Sequence, residues 1–224
     1  MAEKGAASLR KVNVSRFMEK LRRAVEDLGI VEPIEWVLAL LHAFGGEAPS
    51  KLHIQKALFV ASRYIDGLRE TLEFKAYRMG PWSEEINDVV ENAILSGLLT
   101  PSENGIALTF RGVAKARSVW KKLSDRDKEV LARVASLLSR MSEDELLLYI
   151  YTLYGYSEKS DVVTKLLRRR KELALSMLRK GLVSVGLAAK MAGMTVQDFV
   201  KYLRRRGVKP FVAEVNDIEE AEKL

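Results

Sequence analysis

The sequence predicts a mainly α-helical protein in more than one part, with little strand. Three observations carry that prediction. Apolar residues recur at helical spacing over most of the 224 residues, and proline and glycine fall between the periodic stretches. The charge is also regional. Residues 161–210 hold thirteen Lys/Arg against three acids, a balance of +10, whereas 211–224 hold five acids and one Lys, a balance of −4. The formal net charge of the chain is +7, which leaves +1 for residues 1–160. A localised excess of this kind points to a polyanionic partner.

Taken in order, the periodicity predicts helices over 15–28, 34–44, 50–66, 83–97, 109–122, 125–140, 143–155, 161–180, 185–191 and 195–206. Capping residues mark several starts. Ser142 and Glu145 form a capping-box pattern, Ser83 precedes two glutamates, and Thr109, Ser124 and Ser160 suit N-cap positions. Glu73–Tyr77 reads as a short strand before the Gly80-Pro81 break. Gly97–Thr100, a turn through Pro101–Gly105, and Ile106–Leu108 read as a hairpin. The resulting division is an N-terminal helix in 1–33, a domain at 34–122, a helical bridge at 123–160, a basic domain at 161–210 and an acidic tail at 211–224.

Residues 34–122 run helix, helix, helix, hairpin, helix, and the stretch from Gly97-Leu98-Leu99 to Leu108-Thr109 and Gly112 looks like the wing of a winged helix. This domain is therefore expected to be winged-helix-like, with a small β-hairpin. Its segment KLHIQKALFVASRYIDG…FKAYRMGPWSEEI also resembles the Panacea antitoxin domain, through Lys51, Leu52, Gln55, Lys56, Tyr77, Gly80 and Pro81. Electrostatics argues against DNA contact by its third helix. Ser83–Ser96 carries Glu84, Glu85, Asp88 and Glu91 and no Lys or Arg, so it would repel phosphates, and the wing adds Glu103. Asn87 and Asn92 are base-reading types, and Arg111, Lys115 and Arg117 follow on the next helix, but protein contact or dimerisation suits this unit better.

Residues 185–204, VGLAAKMAGMTVQDFVKYLR, read as a helix-turn-helix. Two steeply crossing helices need small residues at their approach, which Ala188, Ala189 and Ala192 supply, and Gly193 serves a turn that needs positive φ. Met194 can fill the space under the turn, and Thr195 can cap the second helix. Val196, Phe199, Tyr202 and Leu203 form the expected buried stripe. Thr195, Gln197, Lys201 and Arg204 are left on the other face, where the second helix of such a motif meets base edges in the major groove. Gln can bond an adenine edge and Lys can donate to guanine. Arg204, Arg205, Arg206 and Lys209 stand where phosphates would be gripped, and Lys190, Arg168 and Arg169 (with Arg170 and Lys171) extend the basic surface.

The stretch KELALSMLRKGLVSVGLAAKMAGMTVQDFVKYLRRRGV resembles a family of small, uncharacterised prokaryotic antitoxin-like proteins often encoded beside PIN-type ribonuclease toxins. The matching positions are Gly181, Ser184, Ala188, Ala189, Ala192, Gly193, Phe199, Arg206 and Gly207. The resemblance implies a helix-turn-helix antitoxin or regulator rather than an enzyme, with a PIN-type toxin as a possible partner.

The absence of cysteine excludes a disulfide framework, Cys-ligated zinc, iron–sulfur clusters and thiol catalysis. The two histidines, His42 and His53, each stand alone on a predicted helix and read as hydrogen-bonded or exposed residues rather than ligands. No H-E-x-x-H, G-x-S-x-G or phosphate-loop motif occurs, and Gly181–Gly186 lacks the following Lys and preceding strand of a phosphate loop. Tyr149, Tyr151, Tyr154 and Tyr156 fall around several helix faces and read as packing residues. With no signal peptide and no apolar run near ~20 residues, a cytoplasmic location without membrane contact is expected. The sequence-level expectation is thus a regulator of double-stranded DNA, acting as a homodimer and without cofactor or metal. The alternative is a protein-interaction module that neutralises or scaffolds a partner.

Overall fold

The computed structural model describes residues 31–155 and 162–208. They form a mainly helical protein with two small antiparallel sheets. Helix α1 (Pro33–Ala43) begins with proline at its first turn and a capping box between Glu32 and Glu35. It buries Trp36 to Leu41 without a break, as a helix surrounded by others must. Strand β1 (Glu47–Ala48) leads to α2 (Lys51–Ser62), whose residues Leu52–Ser62 are all buried, including His53, Gln55 and Lys56. These two helices are the axis of the N-terminal core.

The expected helix over 50–66 stops early. The amides of Arg63 and Tyr64 bond the carbonyls of Val60 and Ala61, tightening the last turn, and Ile65 is extended and buried. A short helix α3 (Asp66–Thr71) follows, too brief to show in the apolar spacing. Strand β2 (Lys75–Tyr77) pairs with β3 (Gly80–Trp82), so the Gly80-Pro81 pair belongs to a hairpin rather than ending a lone strand.

Helix α4 (Glu84–Leu95) is capped by Ser83 and buries Ile86, Val90 and Ala93. Strands β4 (Leu99–Ser102) and β5 (Gly105–Leu108) are the expected hairpin, with Leu99 opposite Leu108. β1 joins them in the order β1-β5-β4, with Ala48 opposite Ile106. The sequence pattern does not reveal this third strand, because two residues carry no periodicity. Gly105 is required by it: a Cβ there would stand 2.1 Å from the Ala48 carbonyl oxygen.

Thr109 caps α5 (Phe110–Lys122), Ser124 caps α6 (Asp125–Leu138), and the Ser142–Glu145 box opens α7 (Glu143–Tyr154). Helices α5 and α6 pack on α1, while α6 and α7 pack on α2, so the bridge helices share the N-terminal core. Helix α8 (Val163–Arg179) leans on α7 and supports α9 (Val185–Ala192), which in turn holds α10 (Val196–Arg205). The helix expected at 15–28, the Ser160 cap and the acidic tail lie outside the described residues. Among the described residues, no helix is long and apolar enough to cross a membrane.

Candidate nucleic-acid interface

The C-terminal helix pair is built as the small-residue pattern requires. Ala188, Ala189, Met191 and Ala192 are buried on α9, so the next helix can approach closely. Gly193 ends α9 with φ +65°, and a Cβ there would stand 2.3 Å from the guanidinium carbon of Arg170. Arg170 therefore lies against the turn, a position that the sequence does not announce. Met194 is half-buried beneath the turn.

On α10 the side chains of Phe199 and Leu203 are fully buried. With 3.6 residues per turn, the face opposite them carries Gln197, Lys201, Arg204 and Arg205, all exposed. Lys201 keeps 68% of its side chain accessible and stands 3.7 Å from Asp198. Among the described residues, the side chains of Gln197, Arg204 and Arg205 have no hydrogen-bond or ion-pair partner. Arg206 lies over the Tyr202 ring at 5.5 Å, on the flank of the helix. Lys190 and Arg168 are also exposed.

One residue differs from its expected part, and two others have partners within the protein. Val196 does not join the buried stripe: it is 50% exposed, in the first turn of the helix. Thr195 caps α10 as expected, its hydroxyl accepting from the Asp198 amide (3.1 Å) and donating to the Asp198 carboxylate (2.8 Å), so its one donor is used inside the helix. Arg169 is ion-paired to Asp144 of α7, which also has Lys165 at 4.0 Å. Lys209 lies outside the described residues.

The basic unit is fastened to the rest by a buried carboxylate. Glu145 is 2% exposed, accepts from the Ser142 amide and from Lys180 Nζ, each at 2.7 Å, and Arg140 and Lys180 exchange bonds with each other's backbone carbonyls. Burial alone would raise the Glu145 pKa, but hydrogen bonds from Lys180, the Ser142 amide and Ser176, with the Lys180 charge, bring it below the ordinary carboxylate value.

The N-terminal unit shows why its motif has two halves. Lys56, fully buried, donates to the Pro81 carbonyl at 2.7 Å. Gln55 clamps Ser83 from both sides, donating to its carbonyl (2.8 Å) and accepting from its amide (3.0 Å). Lys51 reaches Asn87 and Glu91, each at 3.0 Å, so one of the four carboxylates on α4 is paired. The Lys51–Lys56 stretch thus fixes the β2–β3 hairpin and α4 in place. Burial drives the Lys56 amine down to about 7.

His53 is a buried residue, with Nδ1 at 2.9 Å from the Ser50 hydroxyl and Nε2 at 3.0 Å from the Met141 carbonyl; burial lowers its pKa. His42 packs against Trp120, ring centres 5.0 Å apart. Tyr151 is buried and Tyr154 meets Phe59 edge-on, so these tyrosines pack as expected; Tyr156 lies outside the described residues.

Residues 161–222 match the uncharacterised protein family UPF0175. A UPF0175 protein of Aeropyrum pernix is 42% identical over 60 residues, a stretch that covers 67% of that protein and 25% of this chain. Through this segment, the chain belongs to the UPF0175 family. The UPF0175 segment contains α8, α9 and α10, so the family match and the exposed basic face coincide. The family match does not extend over residues 31–155. No solved structure matches the chain.

Proposed function

We propose that this UPF0175 protein is a DNA-binding transcriptional regulator, and that α10 is its recognition helix. The observation that carries this reading is the polarity of α10: Phe199 and Leu203 are sealed inward while Gln197, Lys201, Arg204 and Arg205 stand exposed on the opposite face. Such a rod suits the major groove, with the first turn at base edges and the later arginines at phosphates. One helix-turn-helix covers a half-site, so the active form in this reading is a homodimer on a two-fold operator. Family membership by itself names no activity. The resemblance to antitoxin-like proteins supports a cytoplasmic, non-enzymatic antitoxin that represses its own operon and pairs with a PIN-type toxin.

The test is a duplex selected from random sequence by the full-length protein, followed by titrations across a range of salt. Affinity should fall steeply with salt. Replacing Arg204 and Arg205 together by alanine should shallow the log–log slope by about 1 for each phosphate that is no longer neutralised. Selection of no duplex, or an unchanged slope in the double variant, would refute the reading.

A second reading has its own support. Helix α4 presents Glu84, Glu85 and Asp88 to solvent, and Phe110 and Leu95 are 90% and 85% exposed. An acidic face with exposed apolar residues suits protein contact, so the N-terminal unit is assigned to a protein partner or to dimerisation rather than to DNA.

A further inference from the structure

The first turn of α10 defines what the recognition helix can read. Its four leading side chains are Thr195, Val196, Gln197 and Asp198, all exposed. Thr195 and Asp198 are occupied with each other: the Thr195 hydroxyl donates to one Asp198 carboxylate oxygen, while Lys201 faces the other at 3.7 Å. Two side chains in that turn remain uncommitted. One is an amide, Gln197, with no partner among the described residues; the other is the branched apolar side chain of Val196, half of whose surface is open to solvent.

Each has a complement on only one kind of base pair. A branched apolar side chain at a base edge finds its apolar match in the 5-methyl group of thymine, the one methyl that the major groove displays. A Gln amide, which donates and accepts at once, matches the adjacent acceptor and donor of adenine. Val196 and Gln197 are consecutive, about 100° apart around the helix, so they address neighbouring base-pair positions. On the strength of the DNA reading above, we propose that Val196 is a specificity-determining residue and that the half-site contains adjacent A·T pairs. In it, Val196 packs on a thymine methyl and Gln197 holds the neighbouring adenine. Arg204 and Arg205, farther along the helix, supply the sequence-independent grip.

Uracil substitution isolates the methyl group, because uracil keeps every hydrogen-bonding atom of thymine. The experiment uses the full chain and the duplex it selects from random sequence, with each thymine of the half-site replaced in turn by uracil. The wild type should lose about fourfold in affinity per half-site at one position, the value of a single buried methyl, and Val196→Ser should bind the thymine and uracil duplexes equally. Gln197→Ala should lose the adenine preference at the neighbouring position, and thermal melting of both variants should match the wild type. If a duplex is selected but no uracil substitution weakens it, or if the loss persists in Val196→Ser, the assignment is overturned while DNA binding stands. If no duplex is selected, the DNA reading falls, and this inference with it.

Discussion

Lys56 offers a measurable consequence of how the N-terminal unit is held together. Its amine is fully buried and donates to a single carbonyl, that of Pro81, with no carboxylate in ion-pair range among the described residues. Burial lowers its pKa from 10.5 to about 7, whereas the unfolded chain keeps the ordinary value. Between those limits the unfolded state binds more protons than the folded state, so this group makes stability rise with pH. The difference amounts to roughly 5 kcal/mol across the interval, or about 1.4 kcal/mol per pH unit. Lys56→Met removes that dependence. It also deprives the Pro81 carbonyl of its donor, an offset of about 1–3 kcal/mol that does not vary with pH. The variant should therefore be more stable than the wild type at about pH 7 and equal to it near pH 9. Below the folded pKa the gap should level off. Denaturant unfolding of both proteins from about pH 6 to 10 reads the difference directly, and other titrating groups cancel in the comparison. A stability difference that stays flat across the upper part of that range would refute the reasoning.

Three other outcomes are expected. Lys180→Ala should cost about 2 kcal/mol at neutral pH by leaving the buried Glu145 carboxylate one donor short, a value reduced because the Lys180 side chain is 39% exposed. Since the folded pKa of Glu145 lies below its unfolded value, its contribution is present above the ordinary carboxylate pKa and disappears as pH falls through the folded one; matched acid titrations of stability should show the two proteins converging. Gly193→Ala should lose about 1–2 kcal/mol in denaturant unfolding, from its positive φ, with the displaced Arg170 head free to swing aside. Phe199→Ala should cost about 3–5 kcal/mol and weaken binding to any selected duplex, since the fully buried ring seats α10. A Phe199 variant as stable as the wild type would mean that α10 is not packed as described.

The local chemistry of this protein was legible in its sequence. Ser83, Thr109, Ser124, Ser142 and Thr195 cap their helices, because capping needs only a hydroxyl and an amide three residues on. The alanines of α9, the turn at Gly193 and the sealed Phe199 follow from spacing alone, since a close helix crossing admits few residue types. The exposure of the α10 cations follows as well: a run of arginines on one helix has no local partners to hide behind.

What required the third dimension were contacts between residues far apart in the chain. The burial of Lys56 and Gln55 depends on the hairpin twenty-five to twenty-eight residues later, which supplies Pro81 and Ser83 as their partners. Arg169 looks like a free cation, yet Asp144 pairs with it, and Arg170 packs against the Gly193 turn. Val196 obeys the periodicity of a buried position and is nevertheless half exposed, because periodicity assigns a side of the helix and not what packs on it. Residue type and spacing determine which local structures can form, whereas the partners of long polar side chains are set by which distant backbone segments meet them.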